Sequence, residues 1–260
     1  MSIPDIDRAK YLEMIKAAYV SDFNRTILDE EATFILDTVL KHMRSELSRL
    51  PDFSEESFIK YITANGVVLT YSPKCIYEEI NRAINTAGAD TFSKDRGYKR
   101  TREMELAARM CLTLKKKFNE QWMIKIQDNP DVIIFKVNNG SIKSNFMDAV
   151  QLEIMTIPEV AKKQWDGNNF IGSLLKFIRE KKFNKRYGLC SLMVNLDFDH
   201  QAIDLKQASN FLAGYKGTNP YERIFITAIT SQDLKTVSVI QIHPDFSKTD
   251  FNIDEEGLLY

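Results

Sequence analysis

The chain has 260 residues, of which 44% are hydrophobic and 27% are charged, and its formal net charge at pH 7 is −1. Such a length and composition are typical of a globular protein with a substantial core, and they exclude an intrinsically disordered chain. A net charge near zero excludes nucleic-acid binding through a generally basic surface, so any such binding requires a local basic patch.

The cysteines and the distribution of apolar residues indicate in which cellular compartment the protein resides. Cys75, Cys111 and Cys190 are widely spaced and lie in apolar surroundings. An odd number of cysteines in such settings predicts buried free thiols in a reducing compartment. The N-terminus lacks a basic start followed by an apolar core, and no stretch approaches the ~20 apolar residues of a membrane helix. We therefore expect a cytoplasmic protein with no membrane partner.

Helical signals dominate the N-terminal third of the chain. Apolar residues at three- and four-residue spacing, together with capping residues, predict helices over 6–19, 29–50, 54–63 and from Ser72-Pro73 to about residue 87. A β-prone run over 67–71 precedes the last of them. The segment 87–102 then turns polar and basic and contains glycines, which is typical of a boundary. These patterns predict an N-terminal helical domain over 1–95 and a second domain over 96–260.

The segment from Ser54 to Ala87 has the order helix, short apolar run, helix, which also fits a helix-turn-helix. Its last helix, however, sets the acids Glu78 and Glu79 against only Lys74 and Arg82. Such a mixed surface is poorly suited to a groove of phosphates. Packing or homodimerisation is therefore the favoured interpretation of this segment.

Helices and strands alternate in the second part of the chain. In order, the patterns predict a helix over 101–118, a short apolar run over 122–126 and strands over 132–137 and 149–155. A basic amphipathic helix over 169–186, a strand over 189–196, a helix over 204–212, and strands over 224–230 and 236–242 follow. After Pro244 the tail is acidic and polar, although Leu258, Leu259 and Tyr260 could dock on the body of the protein. The order favours an α/β fold with a mixed central sheet flanked by helices.

Two acids fall on neighbouring predicted strands. Asp131 follows Pro130 at the start of one strand, and Glu153 shares a face of the next with Gln151 and Met155. Hydrolysis of a phosphodiester requires a nucleophilic water, charge neutralisation and help for the leaving oxygen, which Mg²⁺ or Mn²⁺ held by carboxylates can supply. Taken singly, Asp131 also fits a turn residue and Glu153 an exposed edge-strand acid.

Glu105 in the leading helix, Pro130-Asp131 opening one strand and Gln151–Met155 on the next together resemble the PD-(D/E)xK, or restriction-endonuclease-like, superfamily of nucleases. The resemblance covers roughly residues 98–200. It implies a restriction-endonuclease-like core that hydrolyses phosphodiester bonds, most commonly in DNA. It further implies that Asp131 and Glu153 bind the metal ion and that Glu105 holds a metal-bound water.

The chain departs from the family at the position two residues after the second acid, where Met155 replaces the usual lysine. That lysine orients or activates the water and stabilises developing negative charge. A cation could instead project from the region that follows, where Lys162, Lys163 and Lys176 are the candidates. In a different frame Gln151 is the motif acid position and Glu153 stands at the lysine position. A third alternative is a catalytically inactive nuclease fold retained for binding nucleic acid or protein.

Two basic segments flank the predicted site. One opens the helix at residue 101, and the other closes the helix over 169–186. Their cations predict a phosphate-binding rim composed of Lys99, Arg100, Arg102, Lys181, Lys182, Lys185 and Arg186. Cations at the end of a helix also complement its dipole, so the second segment has a structural explanation as well.

Overall fold

The structure is a computed structural model that describes residues 7–48, 51–65, 69–128, 130–137, 149–158, 170–184, 190–196, 210, 219–229 and 236–253. Within these ranges the chain has a helical N-terminal region followed by a seven-stranded mixed sheet with helices. The α/β class and the helical N-terminal region are confirmed.

Six helices precede the sheet in the described residues: α1 (Arg8–Phe23), α2 (Asp29–Leu47), α3 (Glu55–Asn65), α4 (Pro73–Ala87), α5 (Ala89–Lys94) and α6 (Lys99–Phe118). Local sequence explains two of their starts. The side chain of Asp7 caps α1 by accepting from the Lys10 N–H, and Ser72 caps α4 directly before Pro73. The polar segment expected to be a boundary contains α5 and a 3₁₀ turn, Arg96–Tyr98, that runs directly into α6.

The strands are β1 (Gln121–Ile126), β2 (Val132–Val137), β3 (Ala149–Ile157), β4 (Ser191–Leu196), β5 (Arg223–Ile229), β6 (Thr236–His243) and β7 (Ser247–Asn252). They lie in the sheet in chain order. The β3–β4 and β4–β5 pairs are parallel and the other neighbours are antiparallel. Helix α7 (Phe170–Ile178) lies in the crossover between β3 and β4, as a parallel pair requires, and continues as a π-helical turn over Arg179–Phe183.

Both faces of the sheet are covered. Ile154 and Met193 belong to the hydrophobic cluster on the α6 side. Their strand neighbours Met155 and Val194 belong to a second cluster on the opposite side, together with residues of α7. Apolar residues therefore occur on both faces of β3 and β4.

The N-terminal helices contribute to the larger of the two clusters. Ile15, Leu36 and Phe58 are buried in the same cluster as Ile124 and Ile134 of the sheet. The division between residues 95 and 96 stays a prediction. No helix in the described part of the chain is long and apolar enough to span a membrane.

The structure differs from the predicted elements in two places. The acidic and polar tail, for which no element was predicted, forms strand β7, whose charged residues alternate at the sheet edge and whose only buried side chain is Phe251. Edge strands commonly carry such charge, which hides their β pattern. Of the β-prone run predicted over 67–71, the structure describes residues 69–71, and among these Tyr71 forms an isolated antiparallel bridge to Ile124. The helix predicted over 204–212 falls outside the described residues except for Asn210.

Candidate active site

The antiparallel pairing of β2 and β3 brings the two strand acids to one region of the sheet. Val132 pairs with Leu152, and extending this register by one residue sets Asp131 opposite Glu153. Glu153 shares the α7 face of the sheet with Met155. Asp131, in contrast, comes directly before β2 and lies at the end of that strand, near Glu153 and at the side of a cleft lined by residues of α1 and α6. Asp131 is fixed there because its Oδ2 accepts a hydrogen bond from the Ile154 N–H at 2.8 Å.

The electrostatics of Asp131 follow from this position. Burial is the main cause that raises the pKa of Asp131 above its usual value, and the negative charge of Glu153 raises it further. The hydrogen bond from the Ile154 N–H and the charges of Lys182 and Lys99 act in the opposite direction. Two acids thus share a partly desolvated region, which favours the approach of a cation.

A lysine already occupies part of this region. The Nζ of Lys182 forms an ion pair with Oε1 of Glu153 and donates a hydrogen bond to the carbonyl of Ile154 at 3.0 Å. The pair is nearly inaccessible, because the Lys182 and Glu153 side chains are only 12% and 5% exposed. Lys182 lies in the π-helical turn after α7, a kind of distortion that is frequent at functional sites.

The packing of α7 explains both Lys182 and the methionine at position 155. Leu174 and Ile178 are buried in the cluster that contains Met155, so the Met155 side chain lies beneath α7. A lysine at position 155 would therefore have to bury its charge there. Residue 182 follows Leu174 and Ile178 at four-residue spacing, so its side chain points to the same side as theirs and reaches the carboxylates.

Helix α6 contributes Glu103 rather than Glu105. The pKa of Glu103 is raised chiefly by burial and then by the charge of Asp131, which places its carboxyl near the strand acid. Glu103 also forms an ion pair with Lys99 at 3.1 Å. Glu105 instead pairs with the buried Arg109, whose Nη1 donates to Asn195 on β4 at 3.3 Å. The difference follows from helix geometry, because residues two apart lie about 200° apart around the axis.

A cleft of about 400 Å³ opens beside Asp131 and Glu103. Its lining is polar and carries charges of both signs, and includes Ser21, Asn24, Arg96, Lys99, Arg100 and Asp128. Arg100 bridges Asp128 at 2.5 Å and Asp22 at 3.5 Å. Of the predicted rim residues, Lys99 and Arg100 therefore lie at the mouth of the candidate site.

The remaining predicted residues lie elsewhere. Arg102 donates to the carbonyls of Phe92 and Asp95, so it stabilises the turn before α6 and does not line the cleft. The Lys176 side chain is 76% exposed and lies near Glu180. Lys181 lies over the ring of Phe177. Gln151 pairs with Ile133 on β2 and lies two residues before Glu153 on the same face of β3. Four predicted cations lie outside the described residues: Lys162, Lys163, Lys185 and Arg186.

Within the described ranges, no three His, Cys, Asp or Glu side chains are grouped closely enough to hold a metal ion. The arrangement instead consists of the acids Asp131 and Glu153 with Lys182 beside them. Mg²⁺ is commonly held by only one or two carboxylates together with waters, so Asp131 and Glu153 are the residues that could hold such an ion.

Comparison with known proteins adds no relative. No family model matches the chain, and neither the curated proteins nor the solved structures give a match. The α/β fold and the geometry around Asp131 are therefore the basis for a functional proposal.

Proposed function

We propose that this protein is a metal-dependent nuclease with a restriction-endonuclease-like core that hydrolyses phosphodiester bonds, with DNA as substrate. The observation that carries the proposal is the meeting of Asp131, Glu153 and Lys182 on adjacent strands and the following helix, with Glu103 beside Asp131. The family pattern of two strand acids, a helix acid and one lysine is then complete, although the lysine comes from a different element.

Asp131 and Glu153 would hold Mg²⁺ or Mn²⁺. Their fit is supported by the raised pKa of Asp131, since neighbouring negative charge in a partly buried region is relieved by a divalent cation. When bound, such an ion supplies a water that is activated near neutral pH and neutralises phosphate charge.

Lys182 would act on the substrate phosphate. Its ammonium donates a hydrogen bond to the Ile154 carbonyl at 3.0 Å. Lys182 would therefore keep this partner if Glu153 bound a metal ion. From there it can donate a hydrogen bond to a phosphate oxygen and stabilise charge that develops on it. This is the role that the lysine has in the family, where this chain has Met155.

Glu103 would orient the attacking water. Its pKa is raised by burial and by Asp131, which brings the carboxyl closer to the pKa that suits a general base. Lys99 forms an ion pair with Glu103 and tends to keep it ionised. The proposal thus transfers the water-holding role expected of Glu105 to Glu103.

The proposed substrate, compartment and assembly follow the sequence-based expectations. The cations Arg96, Lys99 and Arg100 at the cleft favour a polyanionic strand. Free thiols at Cys75, Cys111 and Cys190 fit a reducing compartment such as the cytoplasm. Homodimerisation through the N-terminal helices stays a prediction.

The test is cleavage of plasmid and oligonucleotide DNA by purified protein in Mg²⁺ or Mn²⁺. Asp131→Ala and Glu153→Gln should each remove activity, because each takes away a carboxylate that would hold the ion. Glu56→Gln, an exposed acid on α3 with a 78% exposed side chain, serves as the matched control and should cleave normally. Equal cleavage by all four proteins would reject the proposal and indicate a contaminating nuclease.

The rival function is an inert nuclease-like module that binds nucleic acid or protein. One observation favours it: Lys182 forms an ion pair with Glu153 and so neutralises that carboxylate. An inert module should bind DNA equally well with and without divalent ions, and should not cleave DNA or RNA under any metal condition. Metal-dependent cleavage lost in Asp131→Ala would exclude it.

A further inference from the structure

We infer that the cleft between the end of α1 and the start of α6 is a binding subsite for the phosphate adjacent to the scissile one in a nucleic-acid strand. This inference rests on the proposed function, which sets the scissile phosphate at Asp131. It assigns a substrate-binding role to the helical N-terminal region, which the family resemblance left without one.

The location of the cleft supports a neighbouring subsite. Asp131 and Glu103 line it at one side, while Val20, Ser21 and Asn24 of the α1 end form the opposite wall. Its volume of about 400 Å³ lies within the range of about 300–1,000 Å³ that is usual for small-ligand sites. A strand that passes Asp131 can therefore continue into the cleft with one further nucleotide unit.

Arg100 is held in place for phosphate binding by a buried carboxylate. Asp22 is 7% exposed, and its Oδ2 accepts a hydrogen bond from the Tyr71 hydroxyl at 2.9 Å. The Thr101 hydroxyl fixes the Asp22 carbonyl at 2.7 Å, and Asp22 Oδ1 lies 3.5 Å from Arg100. Asp22 is thus a positioning residue that orients the guanidinium from the inside of the molecule.

The outer partner of Arg100 is easily replaced. Asp128 is 87% exposed at its side chain, and ion pairs to such exposed groups contribute little free energy. A phosphate accepts two parallel hydrogen bonds from a guanidinium and forms the stronger, more directional contact. Substrate phosphate can therefore take the place of Asp128 while Asp22 continues to hold Arg100.

Arg96 supplies a second cation that needs no displacement. It is exposed, and it forms no ion pair with any residue in the described part of the chain. The 3₁₀ turn that carries Arg96 is packed tightly against the α1 end, since a Cβ at Gly97 would lie 2.8 Å from Nδ2 of Asn24. The absence of a side chain at Gly97 thus lets Asn24 lie close to the turn, and Asn24 and Arg96 both line the cleft.

The charge of the cleft points to binding together with a divalent ion. Arg96, Lys99 and Arg100 face the acids Glu103, Asp128 and Asp131, so the lining is close to neutral on its own. A divalent ion at Asp131 gives the lining a net positive charge. A polyanionic strand is then attracted to the cleft in the presence of the ion.

The experiment measures binding directly. The probe is a short fluorescein-labelled DNA oligonucleotide, single-stranded and as a duplex, titrated with protein in Ca²⁺ and in EDTA and followed by fluorescence anisotropy at several salt concentrations. The variants are Arg96→Gln, Arg100→Gln and Arg100→Lys, with Arg44→Gln on α2 as the matched control. Circular dichroism verifies the fold, and Arg96→Gln is the variant that removes no described contact.

In Ca²⁺, Arg96→Gln and Arg100→Gln should each weaken binding about ten-fold. Each should also lower the slope of log affinity against log salt by about one, because one phosphate contact is lost. Arg100→Lys should be intermediate, because it keeps the charge but loses the two-pronged geometry. Arg44→Gln should bind as the unaltered protein does. If both glutamine variants bind like Arg44→Gln, the subsite is refuted.

The outcomes separate this inference from the proposed function. Loss of affinity in the arginine variants without any cleavage by the unaltered protein rejects the nuclease and supports the cleft as a strand-binding site. Cleavage that requires Asp131, with affinity and KM unchanged in Arg96→Gln and Arg100→Gln, rejects the subsite alone. If both proposals hold, these two variants should raise KM with little change in kcat, because the contact exists before and during the chemical step.

Discussion

Replacement of Lys182 by methionine tests the ion pair at the centre of the candidate site. The change keeps an unbranched chain but leaves Glu153, whose side chain is 5% exposed, without its cation. Breaking a buried pair by removing one partner costs about 3–5 kcal/mol. In a chain of this size each kcal/mol shifts the midpoint of thermal unfolding by about 2–4 °C, so Lys182→Met should melt roughly 6–20 °C lower.

The second part of this test also removes the buried negative charge of Glu153. Glu153→Gln in the Lys182→Met background leaves no buried ion, and replacement of a whole buried pair is often close to neutral. The double variant should therefore recover most of the lost stability. A double-mutant cycle from chemical denaturation of the four proteins gives the coupling free energy between the two side chains.

The pH dependence provides an independent check on Lys182→Met. Lys182 lowers the pKa of Asp131, so its removal should raise that pKa further. A carboxyl whose pKa is raised in the folded state takes up its proton more readily there than in the unfolded chain, so stability rises as the pH falls through that pKa. The gap between Lys182→Met and the unaltered protein should narrow in mild acid. Unchanged stability of Lys182→Met at neutral pH, or a double variant no more stable than Lys182→Met, would refute the buried pair.

Three further predictions concern other residues of the site. Added Mg²⁺ or Ca²⁺ should raise the melting temperature, and this shift should disappear as the pH falls through the raised pKa of Asp131, because only the ionised carboxylate binds the ion. Asp131→Asn should abolish the shift in melting temperature at every pH. Glu105→Gln should destabilise the fold by about 3–5 kcal/mol because Arg109 is buried, yet leave cleavage per folded molecule unchanged. Glu103→Gln should instead abolish cleavage and leave the stability of the fold nearly unchanged. Activity lost in Glu105→Gln but not in Glu103→Gln would contradict our assignment. Arg102→Ala should cost about 1–3 kcal/mol in chemical denaturation by removing the guanidinium hydrogen bonds to the Phe92 and Asp95 carbonyls, of which only Asp95 has a second described donor, the Tyr98 N–H. The salt dependence of DNA binding should stay the same.

Local pattern was sufficient for much of the fold. The cap at Ser72 and the alternation along β3 are signals carried by neighbouring residues, and α4 and β3 form where these signals predict them. Strand β7 was missed because its single buried residue, Phe251, gives no alternating apolar pattern. The order of strands in the sheet depends on contacts between distant segments, and no local signal contains it.

The candidate site was predictable only in part for the same reason. Adjacent strands were expected to bring Asp131 and Glu153 together, and the register of β2 with β3 agrees. Whether Glu103 or Glu105 faces the strand acids depends on the rotation of α6 about its axis. The pattern of polar and apolar residues along α6 does not determine that rotation closely enough to distinguish the two. Lys182 carried a usable signal, because it continues the four-residue spacing of Leu174 and Ile178. That spacing distinguishes it from Lys176 and Lys181.

The position of Lys182 beyond α7 links the integrity of the site to the docking of one short helix. Leu174, Leu175 and Ile178 attach α7 to the sheet through their buried side chains. Local unfolding of this segment would withdraw the ammonium group and expose Glu153, whereas a lysine on β3 would remain beside the acids in such an opening. The proposed activity therefore depends on the contact between α7 and the sheet, and a substitution in the apolar face of α7 could abolish that activity without altering any polar residue of the site.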